Sequence, residues 1–405
     1  MKKVLMIANQ YPPLGGPGVQ RSCKFVKYLR DFEYEPIVLT RIADKGILDH
    51  TLLDDVPKHT IYRTKAYDFT ELPGPFSVLG KVMNRVMIPD ADYLWSVKTF
   101  DKAVEIIEKE NIDILYTTSF PYSDHLLGSK LKERFPSIPW VVDFRDEWLN
   151  NPYIMDKNYK AKRANKEKAM ETMVARKCDW FIANTSFMLE NFVADYPVLK
   201  SKSVVITNGY DDSDFAEADP TYIYKDTFTI TYGGAMYGRR NPDKLFKAIR
   251  QLIDQGLVDP TKLRMKLIGG MDFKKINGYL DSYNLQELVT LSDYLPHKEI
   301  LKELSMTDVL LLLIGEGKGA KSQASGKIFE YINTKRPILA VVPEIGAAAD
   351  IIRESNTGVV CELSSVEAIM SGVLELYQRW ENKELILKNN EEAIKKYHRK
   401  ELTKN

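Results

Sequence analysis

The sequence predicts an α/β protein built from two doubly wound domains, and three observations carry that reading. Its 405 residues exceed what one ordinary core accommodates. Short β-rich runs alternate with segments of helical periodicity along the whole chain. Those runs are continuously apolar rather than alternating, as parallel strands covered on both faces should be. The bulk composition, 44% hydrophobic and 28% charged, is ordinary for a globular protein. A net charge of +1 supplies no global field for nucleic acid, so no nucleic-acid partner is expected. The longest apolar runs, residues 309–314 and 338–342, are too short to span a bilayer. Lys2 and Lys3 precede only a short apolar run, which does not read as a secretion signal. Cys23, Cys178 and Cys361 are far apart and form no CxxC, which suits a reduced, cytoplasmic setting and argues against zinc.

In the first half, residues 3–8, 36–40, 112–116, 140–144, 180–183 and 203–207 read as strands. Between them, residues 96–111 read as a helix with Val97, Phe100, Val104 and Ile107 on one face. In the second half, residues 227–232, 264–268, 308–313, 337–342 and 358–361 read as strands. Residues 242–254 give the clearest helix, with Leu245, Phe246, Ile249, Leu252 and Ile253 sharing a face. Pro242 suits its first turn, where a missing N–H costs nothing. The acidic, turn-rich stretch NGYDDSDFAEADPTYIY, residues 208–224, reads as a linker. The expected domains are therefore 1–207 and 208–384, with the charged helical tail 385–405 packing back on the first.

Two such domains facing a cleft would line it with the carboxyl ends of both sheets, where open α/β sheets bind ligands. Loops just after strands are therefore the places to look for chemistry. The first, NQYPPLGGPGVQR (9–21), offers Gly16 and Gly18 of a G-x-G-x-x-G pattern but has Arg21 in the third glycine position. That weakens a dinucleotide reading; the N–H groups of Gly15, Gly16 and Gly18 suit another anion, or the loop is a plain turn. The second, ITYGGAMYGRRNP (230–242), puts Arg239 and Arg240 just before a helix. A helix end alone is worth roughly 0.3–1 kcal/mol to an exposed anion, and arginine adds fork-shaped charged donors. The alternative is a solvated basic turn. The third, residues 315–344, carries Gly315, Gly317, Gly319 and Gly326, then Lys327 and Glu330 three apart on a short helix. Lysine suits a phosphate and glutamate suits ribose hydroxyls; otherwise the two form a surface ion pair of a few tenths of a kcal/mol.

Together these loops resemble the retaining glycosyltransferases of family 4, whose fold is known as GT-B, from residue 1 to about residue 380. YPPLGGPGVQR is similar to the N-terminal glycine loop of that family. TTSFPYSDHLLG (117–128) resembles the segment with the active-site histidine, here His125. PWVVDFRDEW (139–148) resembles the DFRDPW segment of members linked to cell-surface polysaccharide synthesis. NGYD (208–211) resembles an interdomain NGVD, YGGAMYGRRNPDKL the donor-phosphate arginine region, and SGKIFEYINTKRPILAVV the donor helix.

The resemblance implies transfer, with retention, from a nucleotide-diphosphate sugar to a saccharide or lipid-linked saccharide acceptor. His125, Arg239 and Lys327 would be catalytic. Gly15, Gly16, Gly234, Arg240, Lys244, Ser325, Gly326, Ile328 and Glu330 would bind the donor. Asp143, Arg145 and Asp146 would bind acceptor or support His125, unless Arg145 and Asp146 simply pair. No cofactor and no metal is implied, and the literal DxD at Asp212-Ser213-Asp214 reads as a helix cap. One departure bears on the donor: many members carry two glutamates eight residues apart, and here Ser322 precedes Glu330, with Glu316 a substitute from the preceding loop. The apolar segment 73–93 and the basic segment 157–168 suit either a peripheral membrane contact or ordinary helices. Rival readings are a nicotinamide-dependent oxidoreductase, a sugar-nucleotide epimerase or hydrolase, and a non-catalytic nucleotide-sugar-binding scaffold.

Overall fold

The computed structural model describes residues 1–43, 48–54, 56–66, 87–151, 155, 159–215 and 225–405. The chain divides into two compact units. Unit 1 is Met1–Thr207 with Arg399–Asn405; unit 2 is Asn208–His398.

Unit 1 is built on strands β1 (Lys2–Ile7), β2 (Tyr34–Arg41), β3 (Thr60–Thr64), β4 (Ile114–Ser119), β5 (Trp140–Phe144), β6 (Trp180–Ala183) and β7 (Ser203–Val205). They form one parallel sheet in the order β3-β2-β1-β4-β5-β6-β7. Unit 2 holds β8 (Phe228–Gly233), β9 (Leu263–Ile268), β10 (Val289–Ser292), β11 (Val309–Leu313), β12 (Ile338–Val342) and β13 (Gly358–Glu362). Its parallel order is β10-β9-β8-β11-β12-β13. The two sheets follow one plan. The chain winds outward from the first strand, then returns to the other side of it. The winding reverses between β1 and β4 in unit 1 and between β8 and β11 in unit 2, and ligands of open α/β sheets bind at such switch points.

Central strands are apolar on both faces: every residue of β11 (VLLLL) and β12 (ILAVV) is buried. β3 (TIYRT) and β10 (VTLS) are edge strands with mostly half-exposed residues, and their mixed sequences carry no continuous apolar run. The helix Asp243–Asp254 buries Leu245, Phe246, Ala248, Ile249 and Leu252 against the unit 2 sheet; Pro242 sits one place earlier, at the cap. The helix expected over 96–111 is two pieces, Tyr93–Lys98 and Phe100–Glu110, and the second buries Ala103, Ile106 and Ile107.

The tail behaves differently from the expectation for 385–405. Leu385 lies in the unit 2 core, and Asn390 and Lys396 bond back to Ser355 and Glu354 at 2.8 and 2.6 Å. Only Arg399–Asn405 belongs to unit 1: Leu402 joins the cluster that contains Val19 and Val26 of the helix Pro17–Tyr28, and Lys400 pairs with Asp31 at 2.7 Å. Residues 208–215 belong to unit 2, and 216–224 lie outside the described residues. Asp212–Phe215 is a short 3-10 turn whose cap is Asp211: its carboxylate accepts from the Ser213 N–H at 3.1 Å and from its hydroxyl at 2.7 Å. The DxD pair therefore follows the cap rather than forming it. Among the described residues no three His, Cys, Asp or Glu side chains converge as a metal site. No described helix is long and apolar enough to cross a membrane. Most of segment 73–93 and the start of 157–168 lie outside the described residues.

Candidate functional site

In unit 1 the loop after β1 runs into the helix Pro17–Tyr28. Gly15 and Gly16 are half-buried ahead of it, and Gly16 takes φ +103°, a conformation that favours glycine. Arg21, which displaces the third glycine of a dinucleotide loop, is 1% exposed. Its guanidinium grips Asp143 with two bonds of 2.7 and 2.8 Å and donates to the Ile206 and Thr207 carbonyls at 2.8 and 2.6 Å. Close glycine packing is thus replaced by a buried ion pair, which removes the basis for the dinucleotide reading. Asp143 also accepts from the Tyr116 hydroxyl and, at 3.3 Å, from Thr118. Against the effect of burial, Arg21, the Tyr116 hydroxyl and the charge of Arg145 hold its carboxyl below the usual carboxylate range. With no exposed surface and these partners, Asp143 is a framework residue and not an acceptor ligand.

Arg145 is likewise turned inward. It donates to the carbonyls of Ser119, Gly18 and, at 2.8 Å, Phe120, so one guanidinium ties the loop after β4 to the start of the glycine helix. This is not the Arg145–Asp146 pair alone; the exposed Asp146 acts on Arg145 through its charge. His125 stands in the first turn of the helix Ser123–Arg134 and is wholly buried. Its Nδ1 bonds Thr117 Oγ1 at 2.8 Å, its ring stacks on Phe144 at 4.4 Å, and Nε2 has no partner. Burial pushes its pKa down to about 3, so the ring is neutral. Thr117 and Phe144 fix the ring, and Nε2 is left as its unbonded nitrogen.

Unit 2 assembles most of the residues expected to bind donor. β8 ends at Gly233, and Gly234 follows with φ +118°. Lys327, from the helix Gly326–Asn333, lies directly over Gly234: a Cβ there would stand 2.3 Å from Lys327 Cε. Its ammonium donates to the Tyr232 hydroxyl at 2.7 Å and sits 4.1 Å from the centre of that ring. Burial pushes Lys327 well below the usual lysine range; the charge of Arg240 adds to this and that of Glu330 opposes it. The Ser325 hydroxyl caps this helix by accepting from the Lys327 N–H at 3.4 Å, and Ile328 is buried beneath it. Gly326 leaves open space at the helix start. Tyr331 accepts from the Gly233 N–H at 3.0 Å and so fixes the strand end.

Arg239 and Lys244 serve the neighbouring loop. The Arg239 guanidinium donates to the Lys318 carbonyl at 3.0 Å, and Gly315 and Gly317 pack so closely on Arg239 that added Cβ atoms would lie 2.6 and 2.8 Å from it. Lys244 pairs with Glu316, and the Ser322 hydroxyl donates to Gly319 O at 3.1 Å. Arg239, expected to be catalytic, is a loop clamp here. Lys327 and Arg240 are the two cations whose charges meet beside Gly234. Tyr232, Tyr331 and Gly269 escaped the sequence reading. An added Cβ on Gly269 would lie 2.5 Å from the Gly234 backbone, and the one available signal was its Gly269-Gly270 pair directly after a strand.

Comparisons with known proteins bear on the family and the fold. The family model Glycosyltransferase Family 4 matches residues 23–214, and Glycosyl transferases group 1 matches residues 215–400. No curated protein matches the sequence. Among solved structures, sucrose-phosphate synthase from Thermosynechococcus elongatus aligns with TM-score 0.69 at 14% identity, covering 100% of this chain and 96% of that one. A glycosyltransferase from Rickettsia africae aligns with TM-score 0.65 at 16% identity, covering 100% and 96%. The protein described as trehalose-6-phosphate from E. coli, bound with UDP-2-fluoro glucose, aligns with TM-score 0.65 at 11% identity, covering 100% and 97%. At such identities these structures speak to fold, and the fold they share is that of two Rossmann-like domains. With the two family matches spanning residues 23–400 in the order of the two units, the chain belongs to the family-4-like glycosyltransferases of the GT-B fold.

Proposed function

We propose that this glycosyltransferase takes a nucleoside-diphosphate sugar as donor on unit 2 and a saccharide or lipid-linked saccharide as acceptor on unit 1. The observation that carries the donor assignment is Lys327 lying over Gly234 at the switch point of unit 2, with a phenol as its hydrogen-bond partner and Arg240 nearby. A desolvated lysine with Arg240 nearby, a bare backbone and a capped helix start suit a diphosphate. The UDP-2-fluoro glucose held by the E. coli neighbour is consistent with that ligand class. Glu330 is the residue proposed to accept from the ribose hydroxyls.

As the bond from the anomeric carbon to the β-phosphate oxygen breaks, its electron pair stays with the nucleoside diphosphate. The acceptor oxygen bonds to that carbon, and its proton passes to a phosphate oxygen of the departing nucleoside diphosphate. Lys327 and Arg240 meet the charge growing on the leaving group, a preorganised arrangement worth about 2.7–4 kcal/mol per donor at a transition state. Arg239 and Lys244 hold the loop 315–319 in place. Gly15 and Gly16, ahead of the helix Pro17–Tyr28 in unit 1, are proposed to present backbone N–H groups to an anion. Retention of configuration, independence from metal, a role in surface polysaccharide synthesis and contact with a membrane face belong to the same proposal.

Calorimetric titration with UDP, GDP, dTDP and ADP tests the donor assignment: one should bind, and Lys327→Ala should bind it measurably more weakly. Binding of none would overturn the reading. Product analysis by NMR, with and without EDTA, then reads the anomer formed and any need for metal. Product that forms without acceptor would favour epimerisation or hydrolysis instead.

A further inference from the structure

We infer that Phe120 is the platform on which unit 1 stacks a pyranose ring of the acceptor, with Asn9 and Asp124 meeting its hydroxyls. This rests on the glycosyl-transfer reading above. Phe120 follows β4 at the switch point of unit 1 and is 42% exposed, unlike the buried aromatics behind it. It is nevertheless held. Arg145 binds the carbonyls on both sides of the Ser119–Phe120 peptide. The Phe120 ring stands edge-on to Tyr122 at 5.7 Å and 87°, and Tyr122 stacks on Trp148 at 4.7 Å and 9°. Trp148 is itself tied to Glu167. An exposed ring fixed by its backbone and by Tyr122, itself braced by Trp148, presents a flat apolar face with little entropy left to lose.

The polar groups beside it determine the occupant. Asp124 N–H donates to Pro121 O, the next residue after Phe120, and Asp124 Oδ2 accepts from the Asn9 N–H at 2.8 Å. Both side chains are wholly buried, yet both ends of the Asn9 amide and Asp124 Oδ1 have no partner, and neither has the Ser119 hydroxyl. Each such orphaned group costs roughly 1–3 kcal/mol, and a cluster of them on the loops that flank one exposed aromatic calls for a ligand that brings hydrogen bonds. Burial also raises the Asp124 carboxyl well above the usual range, so it can donate as well as accept. An alkyl chain could use the ring but not the amide and carboxyl. A pyranose uses both, with its C–H face on the ring and its hydroxyls on the polar groups.

Saturation-transfer NMR on the full chain tests this with the methyl glycosides of glucose, galactose, mannose and N-acetylglucosamine, with octanol as the apolar control. At least one glycoside should receive saturation. Phe120→Ala should weaken its binding at least about fivefold, as loss of an aromatic contact implies, and Phe120→Trp should retain it. Asn9→Leu should weaken the glycoside while leaving octanol unchanged. Far-UV circular dichroism checks that each variant is folded. No signal from any glycoside, an unchanged signal in Phe120→Ala, or a response to octanol alone would overturn the inference. UDP titration of the same samples keeps the two readings apart. Binding of UDP without glycoside defeats only this inference, whereas failure to bind any nucleoside diphosphate defeats the functional reading beneath it.

Discussion

The loops after β1 and after β8 occupy the same place in two sheets of the same plan, and they use charge in opposite ways. Around the first, the cations are neutralised or bonded within the unit: Arg21 by Asp143, and Arg145 by three backbone carbonyls. Around the second, Lys327 hydrogen-bonds a neutral phenol, and its charge is disfavoured by burial and by Arg240. A switch point supplies only a position. A cation that meets its counter-charge inside the fold serves packing, whereas one left on a neutral partner is poised for an anion from outside.

The sharpest way to break the comparison is to remove the counter-charge in unit 1. Arg21→Ala strands the Asp143 carboxylate in the core and should cost about 3–5 kcal/mol of stability in chemical denaturation. The double variant Arg21→Met with Asp143→Leu should cost less than the sum of the singles. A neutral Arg21→Ala would end the claim that this pair is structural.

In unit 2 the effect should fall on rate. Lys327→Ala should lower kcat about 10²–10³-fold while its melting temperature stays near the wild-type value, because a desolvated ammonium has been removed rather than half of an ion pair. Gly234→Ala should copy that loss, since its Cβ would lie 2.3 Å from Lys327 Cε at a φ of +118°. Full activity in either variant would refute the placement of the diphosphate.

Protonation gives a subtler reading. The Lys327 pKa is depressed in the free protein, and a bound diphosphate would raise it. Binding should therefore take up protons, and affinity should fall as pH rises from the free value toward the bound one. Calorimetry of nucleoside diphosphate binding in phosphate and in Tris should give different observed heats. Lys327→Ala should erase the difference. The smallest effect expected is that of Lys244→Ala: its partner Glu316 is 54% exposed, so stability should change by less than about 1 kcal/mol. A large loss of stability there would mean that the 315–319 loop depends on this pair far more than on Arg239.

What was legible in the sequence follows from what forces a residue to be apolar. Strands covered on both faces, such as β11 and β12, must be apolar throughout and can be read directly. β3 and β10 are edges with one open flank, so TIYRT and VTLS lack the run that would betray them. The grouping of Gly234 with Lys327 was legible because glycines and cations cluster in loops where spacing is informative. Their division of labour was not. Arg239 and Arg240 are adjacent in sequence, and only the loop 315–319 folding against Arg239 separates the clamp from the cation beside Lys327. Asp143 misled for a related reason: a carboxylate near a strand end looks functional until its partner, Arg21, is seen to come from a distant position in the chain.

The helix Arg399–Lys404 has a consequence for the order in which the molecule is made. Unit 1 is discontinuous, because its first 207 residues emerge long before the segment that covers the helix Pro17–Tyr28. At 5–20 residues per second, the intervening stretch of about 190 residues takes roughly 10–40 s to synthesise. During that interval the apolar side of Val19 and Val26 waits without Leu402. A nascent chain should therefore hold a nearly finished but unsealed first unit while the whole of the second is being translated. Ribosome-bound chains stalled before and after residue 399 should differ in how readily protease cuts within residues 17–28.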